Sequence, residues 1–496
     1  MKTTTINIDP AQVIDVVSPL LFGGFIEHLG RCVYEGVYDP DSGVADEDGF
    51  RTDVMAALAE LQMTIMRYPG GNFASGYHWE DGVGPRDDRP TVRELAWQSI
   101  ETNAFGTDEF IKLCRKMSWE PMLAVNLGTG SPEEARNWVE YCNSAPGTQY
   151  ADQRVGNGSK DPYGVKYWCL GNEMDGPWQL GHVPADQYAI RAQQAAKMMK
   201  GCDPGIETIA CGSSWPGMPT FPEWDREVLT YVGTLARYIS LHRYVGNPNN
   251  DPLEYFATGS LVDKQMEVID ATCRHVQAVN GSRRRHFLCF DEWNVWYKDR
   301  KGNGEGKIAP ALIEEDYNFE DALVVAQFLN SFIRHANIVK IANLAQVVNV
   351  IAPLKTRGDE LLKQTTFHAF RLFSECKSGR SLRLALTGDT FDTDNGPVAC
   401  LDASCIHAPE ENRLTLFLIN LSPTDDMNVT ASLHGLNATS VAGDIMHSAD
   451  LKALNTFENP DQVNSEEFAN VSLTSDGLKT ELPAASLVRL NLEIPS

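Results

Sequence analysis

Eight short apolar runs recur through the first 350 residues, each followed by loop residues and a helical pattern. They fall at 21–27, 64–68, 122–126, 166–170, 208–212, 238–242, 286–290 and 340–348. A spacing of roughly 30–60 residues is what a parallel strand and its crossover helix need. Helical patterns lie between them, at 53–61, after Ser131-Pro132-Glu133-Glu134, and at 319–335. Serine as cap, proline in the first turn and early acidic residues are helix-start signals. Eight such units predict a closed (β/α)8 TIM barrel, an α/β fold. A doubly wound open sheet is the structural alternative, but no GxGxxG follows the first run.

After about residue 379 the texture changes. Strand-like alternation appears at 382–386, 398–401, 413–419, 427–433 and 487–492, with turn residues between. This predicts a C-terminal all-β sandwich. Residues 3–8 read as a lone strand able to pair into it. The expected division is 1–18 for the N-terminal strand, 19–379 for the barrel and 380–496 for the sandwich.

Charge and cysteine usage narrow the function. Forty-two Lys+Arg against 67 Asp+Glu leave a net −25, of which residues 381–496 carry −12. That balance argues against nucleic acid or an anionic membrane as partner, since both need clustered positive charge. The acidic sandwich reads as a solvated surface. The eleven cysteines form no CxxC pair and several sit in apolar runs, so they read as small buried hydrophobes. The first ten residues lack the apolar core of a signal peptide, and the stretch 341–354 is too short and too amide-rich to span a bilayer. The expectation is a cytoplasmic protein. All ten tryptophans fall between Trp79 and Trp296, which fits either a sugar-stacking cleft or the larger core.

Barrel chemistry sits at the C-terminal ends of the strands. There the sequence offers Glu27-His28, then Arg67 to Asn72, Asn126, Gly171-Asn172-Glu173, His242-Arg243-Tyr244, Asp291-Glu292-Trp293-Asn294, and Gln346 with Asn349. Glu173 and Glu292 stand out, because each directly follows an apolar strand and burying a lone carboxylate is unfavourable. Glycoside hydrolysis needs two carboxyl groups on either side of the scissile bond. The plainer reading of each glutamate alone is a structural ion pair; their combination with the other strand ends favours chemistry. No HExxH or comparable metal-ligand spacing appears, so no metal and no cofactor are expected.

The chain resembles glycoside hydrolase family 51, the α-L-arabinofuranosidases. The resemblance is carried by Phe22-Gly23-Gly24-Phe25-Ile26-Glu27-His28, Met66-Arg67-Tyr68-Pro69-Gly70-Gly71-Asn72-Phe73, Leu170-Gly171-Asn172-Glu173-Met174-Asp175-Gly176-Pro177-Trp178, Ser240-Leu241-His242-Arg243-Tyr244 and Asp291-Glu292-Trp293-Asn294-Val295-Trp296. It implies Glu173 as general acid/base and Glu292 as nucleophile. Asn172 would bond the sugar 2-hydroxyl, and Tyr244 would orient Glu292. Glu27, Arg67, Asn72 and Gln346 would hold the other hydroxyls, for Arg67 against the reading of a salt bridge to a barrel carboxylate. Trp97 and Trp296 would form walls. His242 reads as a supporting hydrogen-bond partner and not as a base. The implied activity is exo-acting, retaining removal of terminal α-L-arabinofuranosyl residues from arabinan- or arabinoxylan-derived oligosaccharides. Carboxyl groups about 5–5.5 Å apart belong to that mechanism. The implied assembly is a homo-oligomer, a hexamer. A β-xylosidase or endoglucanase on the same scaffold, and a non-catalytic carbohydrate-binding protein, are the competing functions. The long loops 77–91, 215–225 and 298–311 would shape the leaving-group side.

Overall fold

The computed structural model describes residues 1–299, 302 and 304–495, so part of the loop expected at 298–311 lies outside the described residues. Eight parallel strands close into a barrel. In chain order they are Gly23–Phe25, Ile65–Tyr68, Glu120–Ala124, Tyr167–Leu170, Glu207–Ala210, Ala236–Val245, Phe287–Val295 and Val339–Ala345. Each matches one of the eight apolar runs. Strands wrapped by helices bury both faces, which is why they read as continuous apolar stretches. Alternate residues divide the work. Ile65, Met122, Ala124, Tyr167, Cys169, Ile209, Cys289 and Ile341 fill the barrel interior. Leu123, Trp168 and Leu170 point the other way, into the layer beneath the helices.

Two strands depart from expectation. The first is only three residues long, since residues 19–21 form a 3₁₀ turn, and Glu27 therefore lies beyond the strand. The seventh runs on through Asp291, Glu292 and Asn294 to Val295. Its register with both neighbours shifts in the stretch between Cys289 and Trp293. A bulge lets consecutive side chains face the same way, and Asp291 and Glu292 both reach Arg67 and His242.

The expected helices form at Thr52–Glu60, Pro132–Asn143 and Phe319–Arg334. The Ser131 hydroxyl accepts from Glu134 N at 3.0 Å, and Asn318 with Asp321 closes a reciprocal cap on the third. Among the described residues no helix is long and apolar enough to cross a membrane.

The C-terminal part is β-rich. Its ten-stranded sheet includes Lys2–Val16, which pairs antiparallel with Arg380–Gly388 and parallel with Met427–Leu433. The sheet curls so that Ile6, Ile8, Leu414, Leu416, Leu418, Val429, Leu478, Val488 and Leu490 share one core. The alternate residues Phe417, Ile419 and Leu487 join the core of the barrel instead. Phe417 stacks on Phe373 with ring centroids 4.0 Å apart, at the joint between the two.

Candidate active site

The barrel mouth holds a cavity of about 480 Å³. Glu27, Asn72, Trp97, Glu173, Tyr244, Glu292, Trp296 and Gln346 all line it, so eight of the residues singled out in the sequence meet there. Arg67 and Asn172 are fully buried and are not among its lining residues. Six of the ten tryptophans are buried in the core, and the other four, Trp97, Trp178, Trp215 and Trp296, line the cavity.

Glu173 follows the fourth strand through Gly171 (φ +94°) and itself sits at φ +44°. A non-glycine residue in the left-handed region costs of order 1–3 kcal/mol, and such strain clusters at functional sites. The turn aims the carboxylate into the cavity, where Oε2 accepts from Trp178 Nε1 at 2.8 Å. Its Oε1 lies 2.9 Å from His242 Nδ1, and the same nitrogen is 3.6 Å from Glu292 Oε2. Glu173, His242 and Glu292 each present an atom within 4.8 Å of the others.

Glu292 is held on both oxygens. Arg67 Nη1 donates to Oε1 at 2.7 Å, and the Tyr244 hydroxyl donates to Oε2 at 2.9 Å. Burial pushes the Glu292 carboxyl up; His242 and Arg67 pull it back, while Glu173 and Asp291 add repulsion. Arg67 also donates to Asn172 Oδ1 at 2.6 Å and lies 3.5 Å from Asp291. Its guanidinium is thus an electrostatic anchor behind the cavity wall, the salt-bridged reading left open by the sequence. Asp291 is wholly buried, and although burial opposes its charge, Arg67 and His242 hold it below the usual carboxylate range. His242 Nε2 is 3.3 Å from Asp291 Oδ1. Burial opposes a charge on that ring, but Glu292 and Asp291 outweigh it and raise His242 well above the usual histidine range. The site therefore alternates cation and anion: Arg67, Asp291, His242 and the two glutamates.

Opposite, Glu27 Oε1 accepts from Phe73 N and Trp97 Nε1, both at 3.1 Å, and Oε2 accepts from Gln346 Nε2 at 3.1 Å. The Gly70-Gly71 pair makes room for it, since a Cβ on Gly71 would stand 2.6 Å from Glu27 Oε2. Burial, with repulsion from Glu292 added, pushes Glu27 up to about 8. Trp296 meets Tyr244 edge-on at 5.4 Å.

The sequence reading missed the end of strand five. Ser213 bonds Asp225, and Ser214 bonds Asp175, which lies two residues beyond Glu173. Burial raises Asp225 to about 7 and Asp175 to about 6. The legible signal was the Ser-Ser-Trp segment directly after an apolar run.

These shifts set a pH dependence of stability. Glu27, Asp225, Asp175 and His242 all bind protons more tightly when folded. Their contribution is fully present below the unfolded carboxyl range and is lost as pH rises through the folded values. The melting temperature should therefore fall between about pH 5 and about pH 8. Glu27→Gln and Asp225→Asn should each flatten that slope. A melting temperature that climbs across this range contradicts the assignment.

The comparisons agree with the geometry. Residues 57–253 match the model of the α-L-arabinofuranosidase 1 domain, and residues 291–486 that of the α-L-arabinofuranosidase C-terminal domain. The intracellular exo-α-(1→5)-L-arabinofuranosidase 1 of Bacillus subtilis is 44% identical over 486 residues, 96% of each chain. Its counterpart in Acetivibrio thermocellus is 41% identical, covering 97% of each. A family 51 α-L-arabinofuranosidase from Bifidobacterium longum superposes with a TM-score of 0.93 at 35% identity, covering 99% of both chains. The Thermotoga maritima enzyme, solved as an arabinose complex, gives 0.90 at 34%, covering 99% of this chain and 100% of that one. The chain belongs to glycoside hydrolase family 51, the α-L-arabinofuranosidases.

Proposed function

We propose that this enzyme removes terminal, non-reducing α-L-arabinofuranosyl residues from arabinan- or arabinoxylan-derived oligosaccharides with retention of configuration. Glu292 is the nucleophile and Glu173 the acid/base. The observation that carries this is the close approach of the two glutamates across His242, with one side-chain atom of each of the three within 4.8 Å of the others. That closeness supports the short carboxyl separation of about 5–5.5 Å used in double displacement. Glu173 donates its proton to the leaving oxygen while Glu292 attacks C1. Water, deprotonated by Glu173, then hydrolyses the arabinosyl-enzyme.

Arg67 acts by keeping Glu292 ionised against its burial. Asn172, its carbonyl held by Arg67 and one amide hydrogen directed at Asn72 Oδ1 at 3.5 Å, has its second amide hydrogen for the sugar 2-hydroxyl. Such a bond accelerates chemistry where it strengthens in the transition state. Glu27, Asn72 and Gln346 take the remaining hydroxyls, with Trp97 and Trp296 as walls. The Bacillus subtilis and Acetivibrio thermocellus relatives are named intracellular exo-α-(1→5)-L-arabinofuranosidases; the same linkage and an intracellular site are proposed here. The division at 18/19 and 379/380 and a hexameric assembly belong to the same proposal, and light scattering tests the assembly.

Hydrolysis of 4-nitrophenyl α-L-arabinofuranoside, set against 4-nitrophenyl β-D-xyloside and a panel of linked arabino-oligosaccharides, tests the specificity. A clear preference for the xyloside would contradict it. Tyr244→Phe removes one hydrogen bond to an ionised group, worth about 1.5–3 kcal/mol. Its kcat should fall roughly 10- to 100-fold with little change in KM. A change confined to KM would remove Tyr244 from the role of orienting Glu292.

A further inference from the structure

Trp178 and Trp215 are 50% and 52% exposed, yet both indoles line the active-site cavity. Trp178 is tied to Glu173 through its N–H. Trp215 is placed differently. Its ring lies over Gly217, where a Cβ would stand 2.2–2.6 Å from three ring carbons, so only glycine permits that seat. The segment leading to it is fixed on buried acids. Ser213 N and Oγ reach Asp225 at 3.0 and 2.5 Å, and Ser214 N and Oγ reach Asp175 Oδ2 at 2.9 and 3.1 Å. Met218 N donates back to Trp215 O at 3.2 Å. An indole seated over Gly217 on an anchored backbone, with its surface half open, is an apolar platform.

The barrel order says which part of a substrate it meets. Strand five, which leads into Trp215, neighbours strand four, which leads into Glu173. Glu27, Asn72 and Gln346 follow strands one, two and eight, a separate group of neighbours in the closed order. The sugar that departs with the Glu173 proton is on the side of strands four and five. We infer that Trp215 is a specificity-determining platform for the leaving saccharide, favouring arabinofuranosides whose leaving group is itself a sugar chain. The ligand class is a neutral oligosaccharide that lays its C–H face on the indole. This rests on Glu173 as the acid.

The test compares wild type, Trp215→Ala and Trp215→Phe on α-1,5-linked arabinotriose and on 4-nitrophenyl α-L-arabinofuranoside. Trp215→Ala should lower kcat/KM on the trisaccharide about tenfold more than on the nitrophenyl substrate, through KM. Trp215→Phe should recover most of the difference. Arabinobiose as a competitive inhibitor should weaken by a similar factor in Trp215→Ala. Equal losses on both substrates, or no loss on either, overturn the inference. A wild-type enzyme that cleaves neither substrate would instead sink the arabinofuranosidase reading beneath it.

Discussion

Glu292→Gln is expected to lower kcat on every arabinofuranoside by about 10⁴-fold or more, because without the carboxylate no covalent intermediate forms. Glutamine is the informative replacement. It keeps the volume and a carbonyl for Arg67 Nη1, which now donates to Oε1, while its NH2 group takes the Oε2 position, where the Tyr244 hydroxyl can turn to accept. Glu292→Ala should be as inactive but also less stable. Arg67 and His242 would lose one of their two shared anions, leaving Asp291 as the other. Breaking a buried pair by removing one partner costs about 3–5 kcal/mol. Steady-state kinetics with thermal melting separates the two effects. Residual activity within tenfold of wild type in a folded Glu292→Gln protein would remove Glu292 as nucleophile.

Glu173→Ala should behave differently according to the leaving group. A poor leaving group needs the proton, so hydrolysis of oligosaccharides should fall by about 10²–10⁴-fold. A 2,4-dinitrophenyl leaving group does not need it, so the arabinosyl-enzyme should form and then accumulate, since the base for its hydrolysis is gone. Azide should enter the space left by the carboxylate and restore turnover, giving an arabinosyl azide of the same anomeric configuration as the substrate. No azide product, or equal losses on both substrates, would mean that another group delivers the proton. His242, 2.9 Å from Glu173 Oε1, would be the first to examine.

The barrel was legible because its strands are buried on both faces and so stand out as apolar runs. What escaped follows from where polar residues are buried. Asp291, Glu292 and Asn294 read as the polar end of strand seven, past its apolar run, yet the strand continues through them to Val295, because Arg67, His242 and the Ala345 and Ile351 carbonyls meet their polar atoms. The charge of His242 could not be read from its neighbours in sequence, since Asp291 and Glu292 come from another strand. In the C-terminal sheet, Met427–Leu433 was found to the residue, its buried positions alternating along the strand. The strands Val471–Thr474 and Ser440–His447 have many partly exposed positions and carry polar residues, so alternation there was faint. The tryptophans divide between the two places that the sequence allowed, six in the core and four lining the cavity. Trp215 stood out only as the start of the 215–225 loop, because strand five ends without a titratable side chain.

Retention of configuration separates two displacements at C1 from one. Proton NMR of the first arabinose released from an α-L-arabinofuranoside, followed before mutarotation, reads this directly. Two displacements, by Glu292 and then by water, predict the α anomer as the first product. The β anomer appearing first would mean a single inverting displacement and would contradict Glu292 as the nucleophile.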